Sequence, residues 1–148
     1  MTEILREQLA TAFSEFGMEA GKHTAFLPRV NPSDYLLLLR KMHILIDSVG
    51  WNGGNTSLQS IEAGVPLVTL PGEFMRGRHT LAMFRMMGIE ELISRSVNDY
   101  ADRLAELDLD PDIRSYTSSQ MLIKKENLYE DQSLIDFLDR FFKSHIGM

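Results

Sequence analysis

Apolar residues recur at helical spacing from the start of the chain. Ile4, Leu5, Leu9, Phe13 and Phe16 share one face, which predicts a helix over residues 2–17 ended near Gly17 or Gly21. The period then breaks. His23-Thr24-Ala25-Phe26-Leu27-Pro28-Arg29-Val30 reads as a short β-type run closed by Pro28, with Phe26 and Leu27 as its buried pair. Asn31-Pro32-Ser33-Asp34 is a helix start, an amide N-cap followed by proline at the first helical position, and Leu36 to Leu39 carry that helix to about Lys41. His43-Ile44-Leu45-Ile46-Asp47 and Val65 to Leu70 are continuous apolar runs, the pattern of parallel strands buried on both faces. Between them, Gly50 to Asn55 reads as loop and Thr56 to Ala63 as a helix ended by Gly64.

Beyond Pro71-Gly72, the pattern predicts a helix over 78–87 capped by Gly88, then the run Glu90-Glu91-Leu92-Ile93. Further helices are expected over 97–107, with Val97, Tyr100, Leu104 and Leu107 on one face, and over 111–124. Leu134, Phe137, Leu138, Phe141 and Phe142 mark a last one. Strands alternating with helices predict an α/β fold, a Rossmann-like parallel sheet flanked by helices. About three strands are visible, few for a doubly wound domain, and the chain opens directly on a helix where a first strand belongs. Residues 1–148 therefore read as a single domain that is a fragment of a larger protein.

Composition narrows the chemistry. The 148 residues are 44% hydrophobic and 24% charged, as expected of a globular domain rather than a disordered one. A formal net charge of −6 argues against a general nucleic-acid binder. With no cysteine there is neither a disulfide framework nor a thiolate metal site, and a reducing cytoplasm fits. No apolar run approaches the roughly 18 residues of a membrane span, and the amphipathic N-terminus is not a secretory signal. The basic residues between Glu73 and Arg85 suggest a local anion site rather than a polybasic arm.

The chemistry concentrates in Asp47-Ser48-Val49-Gly50-Trp51-Asn52-Gly53-Gly54-Asn55-Thr56. A helix that begins after a parallel strand aims its unpaired N–H groups at the carboxyl edge of the sheet, where their partial positive charge suits phosphate. Gly53 and Gly54 would let the backbone approach that phosphate, with Asn55 and Thr56 adding side-chain donors. The plain alternative is a tight strand-to-helix turn in which glycine supplies backbone freedom and Thr56 caps the helix. A second loop, Pro71-Gly72, lies at the same predicted sheet edge and favours the anion site. No Lys-Ser/Thr follows the glycines, so this is not a P-loop. Gln59, one turn after Thr56, could hold ribose hydroxyls or simply pack.

These residues, taken in order, resemble a known family. Ile46-Asp47-Ser48, Asn52-Gly53, Thr56, Ala63-Gly64, Pro66, Val68-Thr69, Pro71-Gly72-Glu73, Arg78, Gly88, Glu91-Leu92-Ile93 and Tyr100 are similar to the C-terminal half of the catalytic region of protein O-linked N-acetylglucosaminyltransferases and their Spindly-like relatives. The tail Leu128-Tyr129 and Phe137-Leu138 also matches. The resemblance implies the nucleotide-sugar-binding domain of a GT-B glycosyltransferase, which moves N-acetylglucosamine from UDP-GlcNAc to a protein Ser or Thr with inversion. It places Gly53, Gly54, Asn55 and Thr56 at the diphosphate, Gln59 at the ribose, the backbone of Val30 at the uracil edge and Tyr35 near the base. Arg78 would reach the donor or brace the Pro71–Glu73 loop. No metal or other cofactor is implied.

The resemblance further implies partners: an N-terminal catalytic half, helical (TPR) repeats and an acceptor protein. The lysine that steadies the diphosphate is expected upstream of Met1 and the catalytic base outside this chain, so the fragment alone would be inactive. Departures from the family bear on binding. Gly54 and Asn55 stand where a histidine and a threonine contact the diphosphate, Gln59 where an acid holds ribose, and Pro32 and Leu38 where basic residues flank the uridine. Alternatives are a non-catalytic interaction module that kept the GT-B fold, a UDP-sugar 2-epimerase, or an N-linked glucosyltransferase.

Overall fold

The computed structural model describes residues 2–129 and 132–146, in two compact units that divide after Pro32. The first unit holds helix α1 (Thr2–Glu15) and the single turn α2 (Ala20–His23). Helix α1 ends where Gly17 takes φ 69° and the Met18 N–H returns to the Phe13 carbonyl at 2.9 Å. The strand expected over 23–30 does not form. Leu27 is 58% exposed, and the Phe26 ring lies 4.1 Å from the Arg6 guanidinium. A β-prone run with no neighbouring strand cannot satisfy its backbone by pairing, and Pro28 removes one donor from it.

The second unit is built from α3 (Pro32–Leu39), β1 (Leu45–Ile46), α4 (Asn55–Ala63), β2 (Leu67–Val68), α5 (His79–Met87), α6 (Val97–Leu109), α7 (Pro111–Lys124) and α8 (Ser133–Ile146), with 3₁₀ turns at Met75–Gly77 and Lys125–Leu128. Strands β1 and β2 pair in parallel, Leu45 opposite Leu67 and Ile46 opposite Val68. A parallel bridge joins Thr69 to Ile93 on the far side of β2. Among the described residues the sheet is therefore smaller than the pattern predicted. β2 is the inner strand, with Leu67 and Val68 fully buried, whereas Ile46 on the open edge of β1 is 67% exposed. The expectation that both strands are buried on both faces holds for β2 alone.

Helix ends follow local chemistry closely. The Asp110 carboxylate accepts the N–H groups of Asp112 and Ile113 ahead of Pro111 at N1, and Ser96 caps α6 through the Asp99 N–H. Gly64 and Gly88 close α4 and α5 in the left-handed region, as C-terminal glycines do. Ile61, Leu67, Val68, Phe84, Met87, Ile89, Leu92, Leu107 and Met121 form one core around β2. Helix α8 contributes no buried residue.

Candidate functional site

The carboxyl edge of β1 runs straight into Asp47, which organises everything after it. Its side chain is 4% exposed and both oxygens are engaged: the Gly53 N–H donates to Oδ1 at 2.9 Å and the Thr69 hydroxyl to Oδ2 at 2.8 Å. The Tyr100 hydroxyl, 53 positions away, donates to the Asp47 carbonyl at 2.6 Å. Burial, and then the neighbouring Asp47 charge, push the Tyr100 phenol up to about 12. Asp47 thus binds loop 48–53 to β2 through Thr69 and to α6 through Tyr100. A charged residue closing an apolar run is the trace of this role in the sequence, and the pattern reading passed over it.

With the Gly53 N–H held by Asp47, the amides open to a ligand start one residue later than expected. Gly54 is the N-cap of α4 and offers no side-chain cap. Among the described residues, the N–H groups of Gly54, Asn55 and Thr56 find no acceptor. Thr56 does not cap its own helix, and Gly54, Asn55 and Thr56 are exposed, so their amides are open to solvent or to a ligand. Position 53 must be glycine because a Cβ there would lie 2.2 Å from Thr56 Oγ1 and 2.7 Å from Ser57 Oγ, whereas one on Gly54 would meet nothing within 4 Å. Buried Ser57 fixes the helix mouth from behind, its hydroxyl 2.9 Å from the Gly53 carbonyl and 3.0 Å from the Thr80 hydroxyl on α5.

Residues Gly53, Gly54, Asn55 and Thr56 share a cleft of about 480 Å³ with Tyr35, Asp47, Ser48, Trp51 and Asn52. Tyr35 is half-buried at its wall. Gln59 is also half-buried but does not line the cleft. Arg78 stands outside it too, with Nη1 donating to the Gly72 carbonyl at 3.3 Å. Val30 belongs to the first unit and is 38% exposed. Asn52 is buried, with Nδ2 donating to the Ser48 carbonyl and its backbone N–H to the Arg76 carbonyl. The cleft wall carries one carboxylate and no Lys, Arg or His. Its pull on an anion would come from backbone dipoles. Among the described residues, no group of three or more His, Asp or Glu is placed to hold a metal ion, and no helix is long and apolar enough to cross a membrane.

Comparison with known proteins identifies a family and a fold. The family model "Glycosyl transferase family 41" matches residues 27–133. Two plant proteins named "Probable UDP-N-acetylglucosamine--peptide N-acetylglucosaminyltransferase SPINDLY", from Oryza sativa subsp. japonica and Arabidopsis thaliana, are 24% and 22% identical over 81% of this chain. The chain spans 13% of the length of each. A mutant O-GlcNAc transferase of Thermobaculum terrenum superposes with a TM-score of 0.79 at 26% identity, over 93% of this chain and 27% of that one.

Proposed function

Because the chain belongs to glycosyl transferase family 41, we propose that it is the donor-binding, Rossmann-like lobe of a GT-B enzyme transferring N-acetylglucosamine from UDP-GlcNAc to protein Ser or Thr. In this reading residues 1–148 are one part of a larger enzyme. The acceptor hydroxyl attacks the anomeric carbon from the face opposite the diphosphate, the new C–O bond forms as the old one breaks, and UDP leaves with the electron pair. The hydroxyl proton passes to a base outside these residues. What this lobe supplies is stabilisation of the negative charge that grows on the departing diphosphate, where fixed N–H dipoles act without reorganising.

The observation that carries the reading is the mouth of α4: three consecutive backbone N–H groups without protein acceptors, facing a cleft kept open by glycine. Asn55 and Thr56 side chains would add donors, and Tyr35 at the cleft wall would take the base by stacking. Gln59 and Val30 remain assigned to ribose and uracil through the family resemblance. Arg78 serves the donor indirectly, by holding the Pro71–Glu73 loop.

One observation favours a second reading, that of an interaction module derived from this fold. A diphosphate site normally includes a cation, and this cleft has Asp47 and no basic side chain. Calorimetric titration with UDP separates the two. The donor reading expects saturable binding that Thr56→Ala weakens about tenfold, the scale of one lost hydrogen bond to a charged group. An absence of heat at millimolar UDP overturns it in favour of the module. Interconversion of free UDP-sugars by the complete enzyme, without acceptor protein, would indicate an epimerase instead.

A further inference from the structure

The segment leaving β2 carries a charge pattern unlike the rest of the chain. From Phe74 to Ile89 there are three arginines, one histidine and no acidic residue, in a protein of formal net charge −6. Arg76, Arg78 and Arg85 are exposed, and among the described residues none pairs with a carboxylate. Along α5 the structure sets Arg78, His79 and Arg85 beside Met75, Met83 and Met86 around a groove of about 630 Å³. Met75 is 76% exposed. Methionine is flexible and polarizable, so a surface rich in it accommodates apolar side chains of varied shape.

Residues of two neighbouring loops lie between this groove and the cleft at α4. Trp51 lines the cleft, the Arg76 guanidinium sits 5.7 Å from its ring, and the same guanidinium is 4.8 Å from the Phe74 ring. The two loops that carry these residues are laced together. The Asn52 N–H donates to the Arg76 carbonyl across the two loops, and the Gly72 N–H closes the second loop on the Gly77 carbonyl, both at 2.8 Å. A Cβ on Gly77 would lie 3.2 Å from the Gly50 carbonyl oxygen, so the backbones are in direct contact. Trp51, Arg76, Phe74 and Met75 therefore form the rim between the donor cleft and the α5 groove.

We propose that this rim and groove hold the acceptor polypeptide and select segments in which acidic and apolar residues flank the acceptor hydroxyl. The inference rests on the donor reading, because an acceptor must cross the edge of the cleft to reach the end of the donor. Arg76 and Arg85, which no carboxylate neutralises among the described residues, meet the acidic positions, and the methionines with Phe74 meet the apolar ones. Charge complementarity of this kind sets partner choice and encounter rate more than raw affinity.

The test uses the whole chain with UDP present and two fluorescent peptides, one serine flanked by Glu and Leu and its counterpart flanked by Lys and Leu. The acidic peptide is expected to bind at least about tenfold tighter by anisotropy and to weaken as salt rises. Arg85→Gln reduces that preference and Arg85→Glu reverses it, while UDP binding measured on the same samples stays unchanged and reports that the variants are folded. Equal binding of the two peptides, or a preference untouched by either Arg85 variant, overturns the surface and leaves the donor reading intact. An acidic preference abolished by Arg85→Glu in a chain that takes up no UDP overturns the donor reading, and with it the assignment of the bound peptide as an acceptor.

Discussion

Gly53 and Gly54 look equivalent along the chain, and contacts separate them. The space a Cβ would need at 53 is filled by the Thr56 and Ser57 hydroxyls, while the space at 54 is open and its φ of −91° lies outside the left-handed region. Gly53→Ala is therefore expected to cost about 1–3 kcal/mol, the range for a forced steric insertion, whereas Gly54→Ala should fall within about 0.5 kcal/mol. Urea denaturation of the two variants measures both. UDP titration should likewise be disturbed by the first more than by the second, because Thr56 must rotate away from the intruding methyl. Glycine at a strand-to-helix turn was legible as a request for small size. Which of the two glycines makes that request depends on the hydroxyls of Thr56 and Ser57, and Ser57 is held in turn by Thr80 on another helix.

Elements lying within one local stretch were well read in the sequence, and pairings across the chain were not. The start of α7 at Asp110-Pro111 and the Gly64 and Gly88 ends of α4 and α5 follow from capping chemistry and agree with the residues expected. The strands shrank because their extent depends on neighbours that the pattern cannot supply. The Tyr100–Asp47 bond, which ties α6 to the loop after β1, makes a testable link of this long-range kind. An unfolded tyrosine ionises near 10, whereas Tyr100 in the fold keeps its proton to about 12. Between those values the unfolded chain binds fewer protons than the native one, so stability falls as pH rises. Across that window the native chain should lose on the order of 2–3 kcal/mol relative to Tyr100→Phe. Denaturation midpoints of the two proteins at successive pH values measure the difference. Parallel curves would mean that Tyr100 ionises normally.

At the scale of the whole molecule, α8 stands apart. Leu134, Phe137, Leu138, Phe141 and Phe142 are 41–61% exposed, and the Phe137 and Phe141 rings stack 6.4 Å apart along one face. An apolar stripe of this size in water binds hydrophobic dyes and promotes association. The chain should raise the fluorescence of an apolar dye, and Phe137→Glu with Phe141→Glu should abolish most of that signal without changing UDP binding. Dye fluorescence that survives the double substitution would place the exposed apolar surface elsewhere. The period of α8 was plain in the sequence, yet the same pattern would describe a helix buried against a core.

The amino-acid order by itself determined where the helices lie, that a glycine-rich turn opens α4, and which family the turn resembles. The helices and the turn depend on residues within a turn or two of one another, where capping, periodicity and backbone freedom act directly, and the resemblance depends on the order of residues from Ile46 to Leu138. Tertiary structure decided which amides remain open and which is held by Asp47. It also decided that Arg78 bonds to the Gly72 carbonyl outside the cleft and that Arg76 lies against both Trp51 and Phe74. Those outcomes hinge on where distant segments meet, because a donor in a loop is free or occupied according to whether an acceptor far along the chain is folded against it.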